Sequence, residues 1–408
     1  MSVSAVLTTP ALDRGTPSGV EYNVSIGYLR AFITIMVLAH HAVIAYIPFL
    51  PPAASTFTAE PRLWRAFPIV DSQRWAGFGT FTGFNDLFFM SLMFFLSGLF
   101  VWSSLQHKGS GVFLRDRLRR LGVPFIAAAA IIAPLAYYPA YLVTGADASP
   151  VVFLRQWFSM KDWPAGPAWF VWVLLAFDCV AAALFAFMPK WGETLARVTS
   201  GAIRRPIAFF GLLLAVSAAV YIPMALTFSP VDWSAFGPFT FQTSRILHYF
   251  LYFAAGIVVG AYGLDRGLLA MGGKLARRWP LWVTAMLLAF GFATVIFFAS
   301  LQDPKNPAFW GTLNGFAFTL SCAASSFAFL AVFVRFAQRS RPLFNSLRDN
   351  AYGMYLIHYA FASWLQYCLL KTALPAIAKG SLVVAGTVVL SSLAVAAMRR
   401  IPAVARVI

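Results

Sequence analysis

Ten apolar runs, each near 20 residues long, follow one another along the chain. They fall at 26–48, 81–104, 121–143, 167–188, 206–227, 246–263, 280–301, 312–334, 351–370 and 380–398. Wound as a helix, a run of that length matches the hydrocarbon thickness of a bilayer. In hydrocarbon a helix satisfies every backbone N–H and C=O from within the segment. The pattern predicts an all-α, polytopic integral membrane protein with about ten transmembrane helices. Composition agrees: only 11% of residues are charged, against about 25% in a soluble domain. The net charge of +17 does not point to nucleic acid, because Lys and Arg lie in short clusters between apolar runs rather than along one binding stripe.

Those clusters alternate. The loops after the second, fourth, sixth and eighth runs carry Lys108–Arg120, Lys190–Arg205, Arg266–Arg278 and Arg335–Arg348, and Arg399, Arg400 and Arg406 follow the last run. The intervening loops are poorer in cations. Basic loops stay on the cytoplasmic side, so both termini are expected there. The organisation read from this is a cytoplasmic tail at 1–25, a transmembrane domain at 26–398 and a second cytoplasmic tail at 399–408. The first 25 residues show no cleavable signal pattern, and the first run is expected to act as an uncleaved anchor. The long loop 51–80 mixes aromatics, Pro and charges and is expected to cap the far side. Cys179, Cys322 and Cys368 sit unpaired in apolar runs. They read as packing residues, and no metal site is expected.

Within the first run, Arg30 and His41 are eleven residues apart. At about 100° per residue this returns them to within roughly 20° of one helix face, about 16 Å apart along the axis. Both are costly in hydrocarbon and need a function or a partner. His40 points about 80° away and reads as a packed polar residue. Arg117 and Arg120, at i and i+3, share a helix face at the cytoplasmic surface. They fit either plain loop topology or a phosphate site, since guanidinium forks suit phosphate. Ser97-Gly98 reads first as a close-packing pair. His107 and His248 lie near ends of runs and read as wetted.

Five stretches, in order, resemble acyltransferase family 3, the integral-membrane O-acyltransferases. LRAFITIMVLAHHA (29–42) is similar to that family's Arg/Lys-x10-His first helix, and FFLSGLF (94–100) to its FFxLSGF stretch. RLRRLGVP (117–124) is similar to its RxxR motif, GPAWFVWVLL (166–175) to its LWFL segment, and NAYGMYLIHY (350–359) to its late SYGIYLIH signature. The resemblance covers nearly the whole chain and is closest to compact members of the glucan-modifying type.

It implies a multi-pass protein of the bacterial inner membrane. The implied reaction moves an acyl group, acetyl or succinyl, from cytoplasmic acyl-CoA as co-substrate. The acceptor would be a hydroxyl of an extracytoplasmic or membrane-presented carbohydrate or glycolipid. His41 matches the essential histidine, and Arg30, Arg117 and Arg120 match basic positions that would hold CoA phosphates. His358 falls in the late signature and is assigned to the donor tunnel. Neutral imidazole would act as general base, or as the site of an acyl-histidine. A base of this kind needs an orienting partner. Asp86 and Asp178 are the carboxylates inside runs, with Asp86 the better match in depth. The family's usual acid, however, falls where this chain has Ser91. Arg74 and Arg245 are the cations on the far side that could favour a dicarboxylic acyl chain. The rival class is an exporter of a glycan or lipid. That would call for inverted repeats with helices broken at matching positions, and no such pairing is visible.

Overall fold

The computed structural model describes residues 24–303 and 305–407. The expected tail 1–25 lies almost wholly outside the described residues. Helix follows hydropathy along the rest of the chain. The long elements are α1 (Val24–Val43), α2 (Ala76–Gly98), α3 (Val101–Arg117) and α4 (118–143). They continue with α5 (Trp169–Phe187), α6 (Pro206–Phe228), α7 (Ile246–Tyr262) and α8 (Trp279–Gln302). The last three are α9 (Pro307–Phe336), α10 (Pro342–Leu369) and α11 (Ala376–Met398). The protein is an all-α polytopic membrane protein.

Among the described residues, nine segments are long and apolar enough to cross a bilayer. The tenth expected run, 351–370, lies within the 28-residue α10. Its hydropathy is lowered by His358, Ser363 and Gln366, all buried against the bundle. α3 leads directly into α4, which carries two π-helical stretches, Leu118–Gly122 and Ala128–Ile132. Wide turns of this kind are frequent beside functional sites.

α1 is central, packed by α2, α9, α10 and α11, with Ile26, Leu29, Ile33 and Val37 in the main core. α2 and α7 approach most closely through glycines. A Cβ on Gly98, Gly256 or Gly260 would run into the carbonyl oxygens of Phe253, Phe95 and Leu99 respectively. Gly256 and Gly260 form a small-xxx-small pair, which lets two backbones touch where lipid supplies no hydrophobic drive.

α5 and α7 are short, at 19 and 17 residues. Arg245, just ahead of α7, meets Asp86, ten residues into α2. The segment before α7 contains the only strands among the described residues, the antiparallel pair β1 (Trp233–Phe236) and β2 (Phe239–Gln242). The Trp172 indole N–H donates to Thr240 O at 2.9 Å and holds this hairpin along α5.

The 51–75 loop closes the far end, as its composition suggested. Phe57 stacks on Trp64 at 4.3 Å over Tyr137, Tyr141, Phe153 and Trp157. Arg62 and Arg65 bind Asp162 at 2.9 and 2.8 Å. Burial alone would raise the Asp162 carboxyl, but the hydrogen bonds and charges of Arg65 and Arg62 outweigh it and hold it below its ordinary range. A fully buried pair, Lys379 Nζ to Asp71 Oδ2 at 2.7 Å, fastens the loop to α11.

Replacing Gly256 with Leu is expected to lower the midpoint of thermal unfolding in detergent, at the about 1–3 kcal/mol typical of an overpacked site. Gly291→Leu, where a Cβ meets open space on α8, serves as the neutral control. Equal midpoints for both variants would show that the α2–α7 contact does not depend on glycine.

Candidate functional site

The last turn of α1 carries His41, whose Nδ1 lies 3.0 Å from Val37 O and 3.1 Å from His358 Nε2. His358, on α10, has its own Nδ1 2.7 Å from Tyr355 O. A carbonyl oxygen only accepts, so in each neutral ring Nδ1 must carry the hydrogen. His358 Nε2 is then a bare lone pair, and the His41 Nδ1–H is shared between it and Val37 O. The consequence is at the other nitrogen: His41 Nε2 is left unprotonated, the form that takes up a proton. Tyr359 stands edge-on to the His41 ring, with centroids 5.1 Å apart. The Gln366 amide donates to His41 O at 2.8 Å and to Ala42 O at 3.0 Å. It thereby covers carbonyls that the end of α1 leaves without helical partners.

At the arginine-rich end, a cavity of about 640 Å³ is lined by Arg30, Lys108, Arg117, Arg120 and Arg406, together with Ser97. Arg30, Arg117 and Arg120, which the sequence reading grouped together, all line this cavity. Lys108 and Arg406 were not among the expected residues. Arg406 comes from beyond the last long helix, which folds its short helix Pro402–Ala405 back toward the bundle. Arg117 Nε lies 3.2 Å from the fully buried Asp178, and its guanidinium sits 4.9 Å over the Phe113 ring. Arg30 donates to Leu96 O at 3.3 Å and lies over Phe100.

Two helices connect this cavity with the imidazoles. On α1, Arg30 precedes His41 by eleven residues; on α10, Tyr352, which lines the cavity, precedes His358 by six. Those offsets correspond to about 16 Å and 9 Å along the axes. The site therefore has two parts: a mouth lined by several cations, with Asp116 among them, and a pair of hydrogen-bonded imidazoles farther into the bundle.

The structure corrects the expected orienting carboxylates. Asp86 is bound by the buried Arg245, with Nη2 2.7 Å from Oδ2 and Nη1 3.0 Å from the Asp86 carbonyl. Asp178 is held by Arg117 in the mouth. Counting residues from span ends gives a depth but no direction around the bundle, and each carboxylate meets the arginine that faces it. The group within reach of His41 is His358, which the sequence had placed with the donor tunnel. Arg245, placed on the far side as a cation that could serve a dicarboxylic acyl chain, is buried and paired with Asp86. His248, expected to be wetted, is fully buried with Nε2 3.5 Å from Cys322 Sγ. The i, i+3 relation of Tyr355 and His358 was a readable hint that this imidazole bonds back to its own helix.

A family model described as an acyltransferase domain matches residues 23–396. No match was found among curated proteins or among solved structures.

The hydrogen-bond chain predicts the tautomer of His41. With ¹⁵N-labelled histidine in bilayers, the resonance lost in His41→Asn should show a protonated Nδ1 and a bare Nε2. In His358→Ala the Nδ1–H form should persist, because Val37 O still accepts from it. A mixture of tautomers in His358→Ala would show that the bond to Val37 O does not set the tautomer.

Proposed function

The chain belongs to the acyltransferase 3 family, and from that premise we propose that it is an O-acyltransferase working across a membrane. It takes an acetyl or succinyl group from acyl-CoA at the arginine-rich end and passes it to a hydroxyl of an extracytoplasmic or membrane-presented glycan. The observation that carries this reading is one helix, α1, with a cation at the mouth of a basic cavity and an unprotonated imidazole nitrogen about 16 Å farther in. By loop charge, the mouth faces the cytoplasm. The family implies a bacterial inner membrane, and the same match argues against the exporter alternative.

Arg30, Arg117 and Arg120 hold the CoA phosphates, since phosphate favours guanidinium forks and the mouth supplies several, while Lys108 in the same mouth is bound to Asp116 at 2.7 Å. Asp178 and Phe113 keep the Arg117 fork in place. The pantetheine arm extends between α1 and α10, so the highly charged nucleotide never enters hydrocarbon. At the far end of that path, His41 Nε2 takes the proton of the acceptor hydroxyl as its oxygen attacks the thioester carbonyl. The new C–O bond forms and the C–S bond breaks. The departing thiolate takes the proton back from His41, giving free CoA and the acyl ester. His41 Nδ1–H remains bound to Val37 O and His358 Nε2 throughout, so the imidazolium is held without rotating. His358 is thus a positioning residue.

His41→Ala is expected to cut the turnover of acyl-CoA with its glycan acceptor by about 10²–10⁴, the range for loss of a general base, with CoA binding unchanged. Persistent acylation by a normally expressed variant would remove His41 from the chemistry. Replacing Arg117 and Arg120 with Ala should act on the opposite parameter, raising KM for acyl-CoA at least tenfold at similar kcat, as loss of charged hydrogen bonds requires. Mass spectrometry of envelope glycans from cells with and without the gene identifies the acyl group.

A further inference from the structure

A second basic pocket lies on the other side of α1 from the arginine cavity. It has a volume of about 710 Å³, and its walls include Tyr28, Phe333, Arg335, Arg339, Arg341 and Phe344. Tyr28 and Arg30 are two residues apart, which turns them roughly 160° from each other around the helix. The two pockets therefore use opposite faces of α1. Among the described residues no carboxylate lines the second pocket. None of its three arginines takes part in an ion pair among the described residues. Cations on cytoplasmic loops are common for topological reasons, but here they surround a shaped concavity with one aromatic wall.

That concavity is built by side chains from three elements. Ser25 Oγ donates to Ala337 O at 3.0 Å. The Arg341 backbone N–H donates to Tyr28 Oη at 2.8 Å, and Tyr28 Oη donates to Asn345 Oδ1 at 2.7 Å. These bonds pin the turn between α9 and α10 against the start of α1. The Tyr28 and Phe344 rings meet 5.5 Å apart in the wall. Above the arginines the apolar surface continues along the seam of α1 and α9. Phe32, one turn beyond Tyr28, packs on Phe333 and Phe329 at 5.4 and 5.6 Å and remains 40% exposed.

We propose that this pocket is a binding site for an anionic phospholipid of the leaflet at the arginine-rich end. The lipid phosphate sits among Arg335, Arg339 and Arg341, and an acyl chain lies along Phe32, Phe333 and Phe329. Guanidinium forks match a phosphodiester, and basic pockets between helices at this level suit lipid headgroups. Free phosphate would share the arginines but would leave the aromatic seam unused. The seam commits the site to a lipid. A lipid there braces α1 from behind, on the helix that carries Arg30 and His41.

Native mass spectrometry of the full-length protein, released from detergent with added phosphatidylglycerol or phosphatidylcholine, tests the site. Wild type should retain phosphatidylglycerol and not phosphatidylcholine. Arg339→Gln with Arg341→Gln should weaken that retention about 25-fold, at roughly fivefold per charge, while CoA still binds as in wild type. Undiminished retention in the double variant would overturn the proposal. So would displacement of the lipid by millimolar inorganic phosphate, since that marks an anion site without a chain. Should the double variant fail to fold, Phe32→Ala decides. It must lower the preference for long-chain over short-chain phosphatidylglycerol, and an unchanged preference would likewise reject the lipid site.

Discussion

A polar side chain inside a bilayer must find its partner within the protein, because hydrocarbon offers none. That constraint organises this molecule. Asp178 meets Arg117 and ties α5 to the end of α3. Asp86 meets Arg245 and ties α2 to the entrance of α7. Asp71 meets Lys379 and fastens the capping loop to α11. His41 meets His358 and joins α1 to α10. In each case the side chains that cannot face lipid choose which elements lie side by side, while apolar packing and the glycine contact of α2 with α7 fill in between them.

The imidazole pair differs from the three ion pairs in what it leaves over. An ion pair sets one charge against another, whereas the two histidines share one hydrogen and leave His41 Nε2 with a lone pair. Of the three, only Lys379–Asp71 is buried on both sides, while Asp86 is half exposed; a fully buried pair holds geometry more than it adds stability, since its attraction is offset by the cost of taking both charges out of water. His41 Nε2 therefore sits in a frame whose members are fixed by their own hydrogen bonds. The Tyr355 carbonyl orients His358, His358 orients His41, and Gln366 covers the end of α1 on which His41 stands.

Much of the fold was legible because membrane insertion imposes a length and a hydropathy on each helix. The exceptions are informative. α10 falls short of the apolar threshold because its polar residues face the bundle. α2 begins at Ala76, five residues before the expected run. The β-hairpin lies in the stretch between two apolar runs, where hydropathy carries no signal for a spanning helix. Of the site, the stripe of Arg30 and His41 and the pair Arg117 and Arg120 were legible from periodicity and from a family resemblance. The partners were not.

By itself the sequence determined the helical, polytopic class, most of the spanning segments, the basic end, the helix face shared by Arg30 and His41, and the family. All of these depend on local spacing and composition, which act along one segment at a time. Only the tertiary structure decided that Asp86 belongs to Arg245, that Asp178 belongs to Arg117, and that His358 orients His41. Pairing inside a bundle depends on the azimuth at which one helix faces another. That angle is set by many distant contacts together, and residue counts along a single helix do not contain it.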